Sequence, residues 1–162
     1  MTAWRIAEDD LRGTEIRALL SQHFAGMLAN SPKDSCHFLD FDGLKGPGVA
    51  FWSVWDGRTL AGCGALRELT PSHGEIKSMR TADAYLRKGA GSAMLDHIVE
   101  TARARGYARL SLETGSGAAF DPAHALYARF GFVPCGPFGD YAEDPFSRYL
   151  TLTLRENAPC GS

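Results

Sequence analysis

A strand, a glycine-rich turn and a long helix follow one another between Glu75 and Arg105, and this stretch restricts the fold more than any other. The turn reads Leu86-Arg87-Lys88-Gly89-Ala90-Gly91-Ser92. Because Gly89 and Gly91 have no Cβ, the backbone can curl tightly and a ligand can approach the N–H groups that open the helix. These donors and the positive end of the helix dipole suit a pyrophosphate. The turn therefore predicts a phosphate-bearing cofactor, with contacts at Arg87, Lys88, Gly89, Ala90, Gly91 and Ser92.

Two common phosphate-binding motifs do not fit this turn. A nucleoside-triphosphate loop closes with Gly-Lys-Ser or Gly-Lys-Thr, and a dinucleotide fold needs Gly or Ala where this chain has Met94. A second run, Leu126-Tyr127-Ala128-Arg129-Phe130-Gly131-Phe132, follows later in the chain. Together the glycine turn and this run resemble the GNAT acyltransferase superfamily, and the resemblance covers residues 48 to 154.

The resemblance implies a fold and a cofactor. The fold is α/β, one domain over residues 1–154, with a mostly antiparallel sheet of about seven strands that is splayed in the middle and has helices on both faces. In this family the glycine turn holds the pyrophosphate of acetyl-coenzyme A (acetyl-CoA), a cosubstrate. Two positions depart from the family pattern, because Leu86 stands where Arg or Gln is usual and Phe120 where Asn is frequent. Backbone donors can replace the first contact, and the Asn contact is expected to be absent.

The strand before the turn is predicted to contain a bulge. Ile76 and Met79 are three residues apart and cannot share one face of a regular strand. One extra residue reconciles them and exposes unpaired backbone groups. In GNAT proteins such a bulge pairs with the pantetheine arm, so the resemblance implies cofactor contacts at Met79, Arg80 and Thr81. Further cofactor contacts are expected at Phe120, Tyr127 and Phe130.

The resemblance also implies the reaction, which is transfer of an acetyl group to an amine by direct attack in a ternary complex. This chemistry needs a base for the amine, a donor for the thioester oxygen and an acid for the leaving thiolate. By position, Glu75 is the base, directly or through a water, and the backbone N–H near Met79 or Arg80 is the oxygen donor. Tyr127 is the acid, with an ordinary pKa near 10 that is comparable to that of a thiol. Two alternatives stay open: a CoA-binding module without turnover, and a transferase with a longer acyl donor.

Composition limits the partners. A length of 162 residues suits one domain, and a net charge of −2 with no basic run longer than two argues against nucleic acid. The four cysteines lack C-x-x-C spacing, which argues against a zinc site and a disulfide framework. No stretch has the length and apolarity of a membrane span. We therefore expect a cytoplasmic protein with a small-molecule amine substrate, no metal, no nucleic acid and no membrane partner, and a homodimer stays open.

Two irregular segments are candidates for the acceptor site. Residues 31–48 and 134–146 contain several Gly and Pro and lack regular periodicity, and such segments in compact domains are often functional. We expect the acceptor between Ser35–Asp40 and Phe138–Ser147, which favours a small amine or an amino-acid-like molecule. The candidate contacts are His37, Phe38, Tyr141 and Asp144. The alternative for the first segment is a loop that only docks on the core, and for the second a solvated acidic loop. The tail at residues 155–162 is expected to be mobile.

Periodicity predicts the elements around these motifs. Apolar residues from Leu11 to Leu28 recur at helical spacing, and the preceding Asp9-Asp10 pair is expected to cap that helix. Asp56-Gly57 predicts a tight hairpin between two strands. The helix after the glycine turn carries one apolar stripe, with His97 expected to face solvent.

A half-buried strand is predicted where Leu110 and Leu112 alternate with Ser111 and Glu113. The two apolar side chains then share one face of the sheet, and the two polar side chains share the other.

Overall fold

The computed structural model describes residues 4–32 and 39–154, and these residues form one seven-stranded sheet with helices on both faces. The strands are β1 (Trp4–Glu8), β2 (Val49–Asp56), β3 (Thr59–Thr70), β4 (His73–Thr81), β5 (Arg109–Thr114), β6 (Val133–Cys135) and β7 (Arg148–Thr153). The helices are α1 (Thr14–Asn30), α2 (Phe41–Leu44), α3 (Ala90–Ala104) and α4 (Asp121–Arg129), with 3-10 turns at Asp83–Tyr85 and Ala118–Phe120. The predicted fold class is confirmed.

The sheet opens in its middle. Its strand order is β1-β2-β3-β4-β5-β7-β6, and β4 and β5 are the one parallel pair among these strands. They pair only from His73 opposite Arg109 to Glu75 opposite Ser111, although both strands continue well beyond that level. The two strands therefore diverge after Glu75, and this divergence is the predicted splay.

The predicted bulge lies in β4. Cys63 of β3 pairs with Arg80, and Ala65 pairs with Lys77. Gly64 alone therefore lies opposite two residues of β4, Ser78 and Met79. One of those two, Ser78, has a positive φ of 55°. A Cβ on Gly64 would lie 2.8 Å from the side chains of both Met79 and Met94, so a glycine here lets the bulge and helix α3 pack closely.

Two apolar cores fill the two faces of the sheet. The first lies under α3 and α4 and includes Ile76, Met94 and Tyr127. The second lies under α1 and α2 and includes Leu20, with Cys63 and Ala65 of the sheet. The second core reaches the sheet through residues of β2 and β3, so on that face the strands β4, β5 and β7 are left for other residues to cover.

Three expectations about the helices are wrong. Helix α1 begins at Thr14 without a side-chain cap, because Asp9 instead accepts hydrogen bonds from the Leu11 amide (2.8 Å) and the Ser53 hydroxyl (2.7 Å), which tie the preceding turn to β2. Leu28 near the end of α1 is 60% exposed. His97 does not face open solvent, because its ring packs edge-on against Trp52 with centroids 4.9 Å apart.

The predicted hairpin between β2 and β3 is confirmed, but its two loop residues are Gly57 and Arg58, because Asp56 still pairs with Thr59. Gly57 has a positive φ of 58°. Strand β5 forms as predicted but is not half-buried, because Ser111 on its polar face is also buried.

Within residues 4–32 and 39–154, no helix is long and apolar enough to cross a membrane. In the same ranges no His, Cys, Asp and Glu side chains form a group of three that could hold a metal ion.

Candidate active site

The glycine turn presents free amides at the start of α3. Gly89 adopts a left-handed conformation (φ 97°) that a side chain would strain, and the helix follows at Ala90. The first intrahelical bond runs from the Ala93 N–H to the Gly89 carbonyl (2.9 Å). The amides of Ala90, Gly91 and Ser92 therefore have no partner within the helix and point where an anion can bind.

The backbone conformation at position 91 does not require a glycine, because the φ of Gly91 is not positive. A Cβ built there would lie 3.3 Å from Thr81 Oγ1 and 3.5 Å from Leu126 Cδ2, so a methyl group needs only small shifts of its neighbours. The absence of a side chain therefore has its main effect on whatever approaches the open amides.

The turn is anchored to the edge of the sheet. The Tyr85 hydroxyl donates to Asp56 Oδ2 (3.0 Å), and the Tyr85 ring packs edge-on against Trp4 with centroids 5.9 Å apart. Arg87 and Lys88 are exposed beside it, so the amides lie next to two cations. Together these contacts fix a positively charged cradle at one end of β4.

The bulged end of β4 leads from this cradle to the splay. Met79, Arg80 and Thr81, the predicted pantetheine contacts, are half-buried. The Arg80 guanidinium lies 3.9 Å from Asp83. At the other end of this path stands Glu75, which occupies the last position where β4 and β5 still pair.

Glu75 is held by a buried polar cluster and is only 1% exposed. Its Oε2 accepts a hydrogen bond from the Tyr141 hydroxyl (2.5 Å) and from Lys77 Nζ (3.5 Å), and Lys77 also donates to the Tyr141 oxygen (2.9 Å). Arg67 Nη1 lies 3.9 Å from Oε1. Oε1 itself is buried and accepts no hydrogen bond from the described residues. Two cations and one phenol thus support the charge of a carboxylate that solvent hardly reaches.

Tyr141 was predicted as an acceptor contact and Glu75 as a base, and the structure joins the two in one hydrogen bond. Burial, with the negative charge of Glu75 as the next cause, raises the pKa of the Tyr141 hydroxyl far above its ordinary value. The phenol therefore stays protonated and donates to Glu75. Sequence reasoning missed Lys77, although Lys77 follows Glu75 by two residues and so shares its face of the strand.

Glu113 is the second carboxylate on this face, and no role was predicted for it. It is half-buried on β5, two residues past Ser111. Burial is the main cause that raises its pKa to about 7; the Ser147 hydroxyl and then the charge of Lys77 oppose the increase, and the charges of Glu75 and Asp144 add to it. The alternation along β5 was the signal that could have identified it.

Tyr127 lies on the other face of the sheet. It belongs to the core that contains Ile76, the neighbour of Glu75, and its ring packs edge-on against Phe132 at 5.5 Å. Burial raises the pKa of its hydroxyl well above 10. The expectation of an ordinary pKa is therefore wrong: Tyr127 is reliably protonated but is a weaker acid than a free phenol. Of the other predicted cofactor contacts, Phe130 is half-buried in the same core, and Phe120 packs edge-on against Phe146 at 5.6 Å.

The segment between β6 and β7 covers the polar face of β4, β5 and β7. Its Phe138 ring contacts the rings of His73 (5.7 Å), Tyr141 (5.2 Å) and Tyr149 (6.0 Å). Asp144, a predicted acceptor contact, is half-buried there and accepts a hydrogen bond from the Phe146 amide (2.9 Å). The other two predicted contacts, His37 and Phe38, lie outside the described residues.

Comparisons with known proteins identify the family of this chain. The model of the acetyltransferase (GNAT) family matches residues 14–132. The N-acetyltransferase YsnE of Bacillus subtilis (strain 168), itself called uncharacterized, is 53% identical over 90% of this chain and 97% of its own length. The similarly described YedL of Escherichia coli (strain K12) is 53% identical over 94% of this chain and 96% of its own. The structure of yncA from Salmonella typhimurium with its cofactor acetyl-CoA has a TM-score of 0.70 at 17% identity, with 96% of each chain covered. From the family match and the two relatives, this chain belongs to the GNAT family and is an N-acetyltransferase.

Proposed function

We propose that this protein transfers an acetyl group from acetyl-CoA to the amine of a small or amino-acid-like acceptor, by direct attack in a ternary complex. The observation that carries the proposal is the splay between β4 and β5, which connects the open amides of the glycine turn with the buried Glu75 cluster. The presence of acetyl-CoA in the yncA structure supports this choice of donor. A longer acyl donor stays the alternative.

The donor is proposed to bind along one path. Its pyrophosphate binds the amides of Ala90, Gly91 and Ser92, with Arg87 and Lys88 nearby, because a helix N-terminus stabilises an anion. Its pantetheine arm follows the bulged end of β4, where backbone groups are left without partners in the sheet. The thioester then lies in the splay, with Tyr127 on one side and the polar face on the other.

Two protein groups are proposed to handle protons. Tyr127 donates its proton to the sulfur as the thiolate departs, which its protonated state at neutral pH permits. Glu75 receives a proton of the amine nitrogen after attack, through the Tyr141 hydroxyl or through a water at Oε1, because Tyr141 and Lys77 already occupy Oε2. This is the relayed form of the base role predicted for Glu75.

A small acceptor is favoured by the segment that covers the polar face. The Phe138 ring packs on His73 of β4 and Tyr149 of β7, and a polar face covered in this way supports a small acceptor better than a protein chain. The single domain at residues 1–154 and the cytoplasmic location remain predictions, and a homodimer stays open.

The donor site can be tested with two glycine variants. Gly91→Ala places a methyl group at the open amides, whereas Gly136→Ala adds one in open space. A ligand at 100 times its Kd stabilises a protein by about 2.7 kcal/mol, which raises the Tm of a domain of this size by roughly 5–10 °C. We expect CoA to produce this shift in the wild type and in Gly136→Ala, and to lose most of it in Gly91→Ala.

The reaction itself is tested by following free thiol release from acetyl-CoA with a panel of small amines. Release with at least one amine is expected from the wild type. CoA-induced stabilisation without thiol release from any amine would favour a binding module instead, and an equal CoA shift in both glycine variants would show that the pyrophosphate binds elsewhere.

A further inference from the structure

Two carboxylates lie on one face of the splay at different depths. Glu75 stands where β4 and β5 still pair, enclosed by Tyr141 and Lys77. Glu113 stands two residues further along β5, where the strands have separated, and it retains contact with solvent. Because the two strands are parallel, Lys77 lies at the level of Glu113 on the opposite wall of the opening.

The charged and titratable groups around Glu113 come from three elements. Strand β4 contributes Glu75 and Lys77, strand β7 contributes Tyr149 directly opposite in the sheet, and the covering segment contributes Tyr141 and Asp144. The Lys77 ammonium donates to both Glu75 and Tyr141. Arg67 of β3 adds a second cation, 3.9 Å from Glu75. When ionised, the three carboxylates of Glu75, Glu113 and Asp144 still outnumber these two cations, which favours the approach of an ammonium.

We propose that Glu113 removes the proton that keeps the acceptor amine an ammonium, before the amine attacks. This inference depends on the proposed function and adds a second carboxylate to it. Glu113 is the residue placed for this step because it is half-buried at the level where β4 and β5 have separated, whereas Glu75 is buried and both of its oxygens are enclosed. Its pKa of about 7 also matches the pH at which a base both exists in its ionised form and holds a proton well.

The ammonium gives one proton to Glu113, which later releases it to solvent. The neutral amine attacks the carbonyl carbon, so that the N–C bond forms and the C–S bond breaks. The nitrogen gives its second proton to Glu75 through Tyr141 or a water, and the thiolate takes one from Tyr127. The proton on Glu75 returns through solvent to Tyr127, so one proton is released for each amide and thiol formed.

Kinetics as a function of pH separate the two carboxylates. For the wild type we expect kcat/KM to fall as the pH drops below about 7, as Glu113 becomes protonated. Glu113→Gln should lower kcat about 10²-fold or more and abolish this fall of kcat/KM at acidic pH, called the acidic limb below. Glu113→Asp should recover part of the rate. Glu75→Gln should lower kcat but keep the acidic limb of the kcat/KM profile. Glu8→Gln, an exposed change on edge strand β1, is the matched control and should behave as the wild type.

Each outcome decides the proposal. A CoA-induced Tm shift equal to that of the wild type shows that Glu113→Gln is folded and binds the donor. If that variant keeps the wild-type kcat, or keeps the acidic limb near pH 7, the role of Glu113 is overturned while the acetyltransferase function stands. If the wild type releases no thiol with any amine, the proposed function fails first, and the role of Glu113 fails with it.

Discussion

Replacing Glu113 by Gln should stabilise the protein at alkaline pH, even though the same change is expected to reduce activity. In the unfolded chain this carboxyl ionises near 4.5, and in the fold its pKa is raised to about 7, chiefly by burial. The folded state therefore binds a proton more tightly than the unfolded state. The stability that neutral Glu113 provides is complete below pH 4.5 and is lost as the pH rises to about 7.

The size of the effect follows from these two values. One pKa unit corresponds to about 1.4 kcal/mol, so the increase from 4.5 to about 7 corresponds to roughly 3 kcal/mol. Because the side chain keeps contact with solvent, we expect about 2 kcal/mol in practice. Gln resembles the neutral carboxyl and does not ionise. The variant should therefore exceed the wild type by about 2 kcal/mol at pH 8, which is a Tm higher by roughly 4–8 °C, and should equal it near pH 4.5.

Urea unfolding followed by circular dichroism at pH 4.5, 6, 7 and 8 measures this difference, with Glu8→Gln as the control whose difference should not change over the same range. A difference that is independent of pH would show that Gln acts through packing and not through ionisation. A variant less stable than the wild type at pH 8 would refute the reasoning, since it would mean that ionised Glu113 is favourable in the fold.

Three further changes test other parts of the site. Tyr127→Phe keeps the ring but removes the proposed acid, so kcat should fall about 10²-fold with CoA affinity unchanged; a wild-type rate would exclude the acid role. Tyr141→Phe removes a hydrogen bond to the buried Glu75, so the free energy of unfolding should fall by about 2 kcal/mol, and an unchanged urea midpoint would contradict that bond. Gly115→Ala places a Cβ 2.5 Å from the Phe146 ring, so it should destabilise the fold by about 1–3 kcal/mol, whereas Gly136→Ala in open space should not; equal stabilities would refute this packing.

The sequence alone was enough to predict the glycine turn and the order of the elements. Gly89 and Gly91 before an apolar helical stripe predict a strand, a turn and a helix, and this signal is local because it depends on backbone freedom and a period of 3.6 residues. The bulge was also predictable from a local signal, because Ile76 and Met79 are three residues apart and a regular strand repeats every two residues. Asp56-Gly57 predicted the hairpin, although the loop itself is Gly57-Arg58, because glycine accepts the positive φ that this turn requires.

Local patterns were insufficient where a side chain had an alternative partner distant in sequence. Asp9 was expected to cap α1 but bonds to Ser53 in β2, and His97 packs on Trp52 instead of facing solvent. The alternation along β5 predicted the face that Glu113 shares, but not what lies across from it.

Only the tertiary structure decided the chemistry of the polar face. Tyr141 and Glu75 are far apart in the chain, and their hydrogen bond exists because the segment between β6 and β7 folds back over β4. The same folding buries Glu113 beside the charges of Lys77 and Asp144. A pKa depends on solvent exclusion and on charges brought together from separate strands, so residue types at given positions determine which groups can ionise, and the fold determines the pH at which they do.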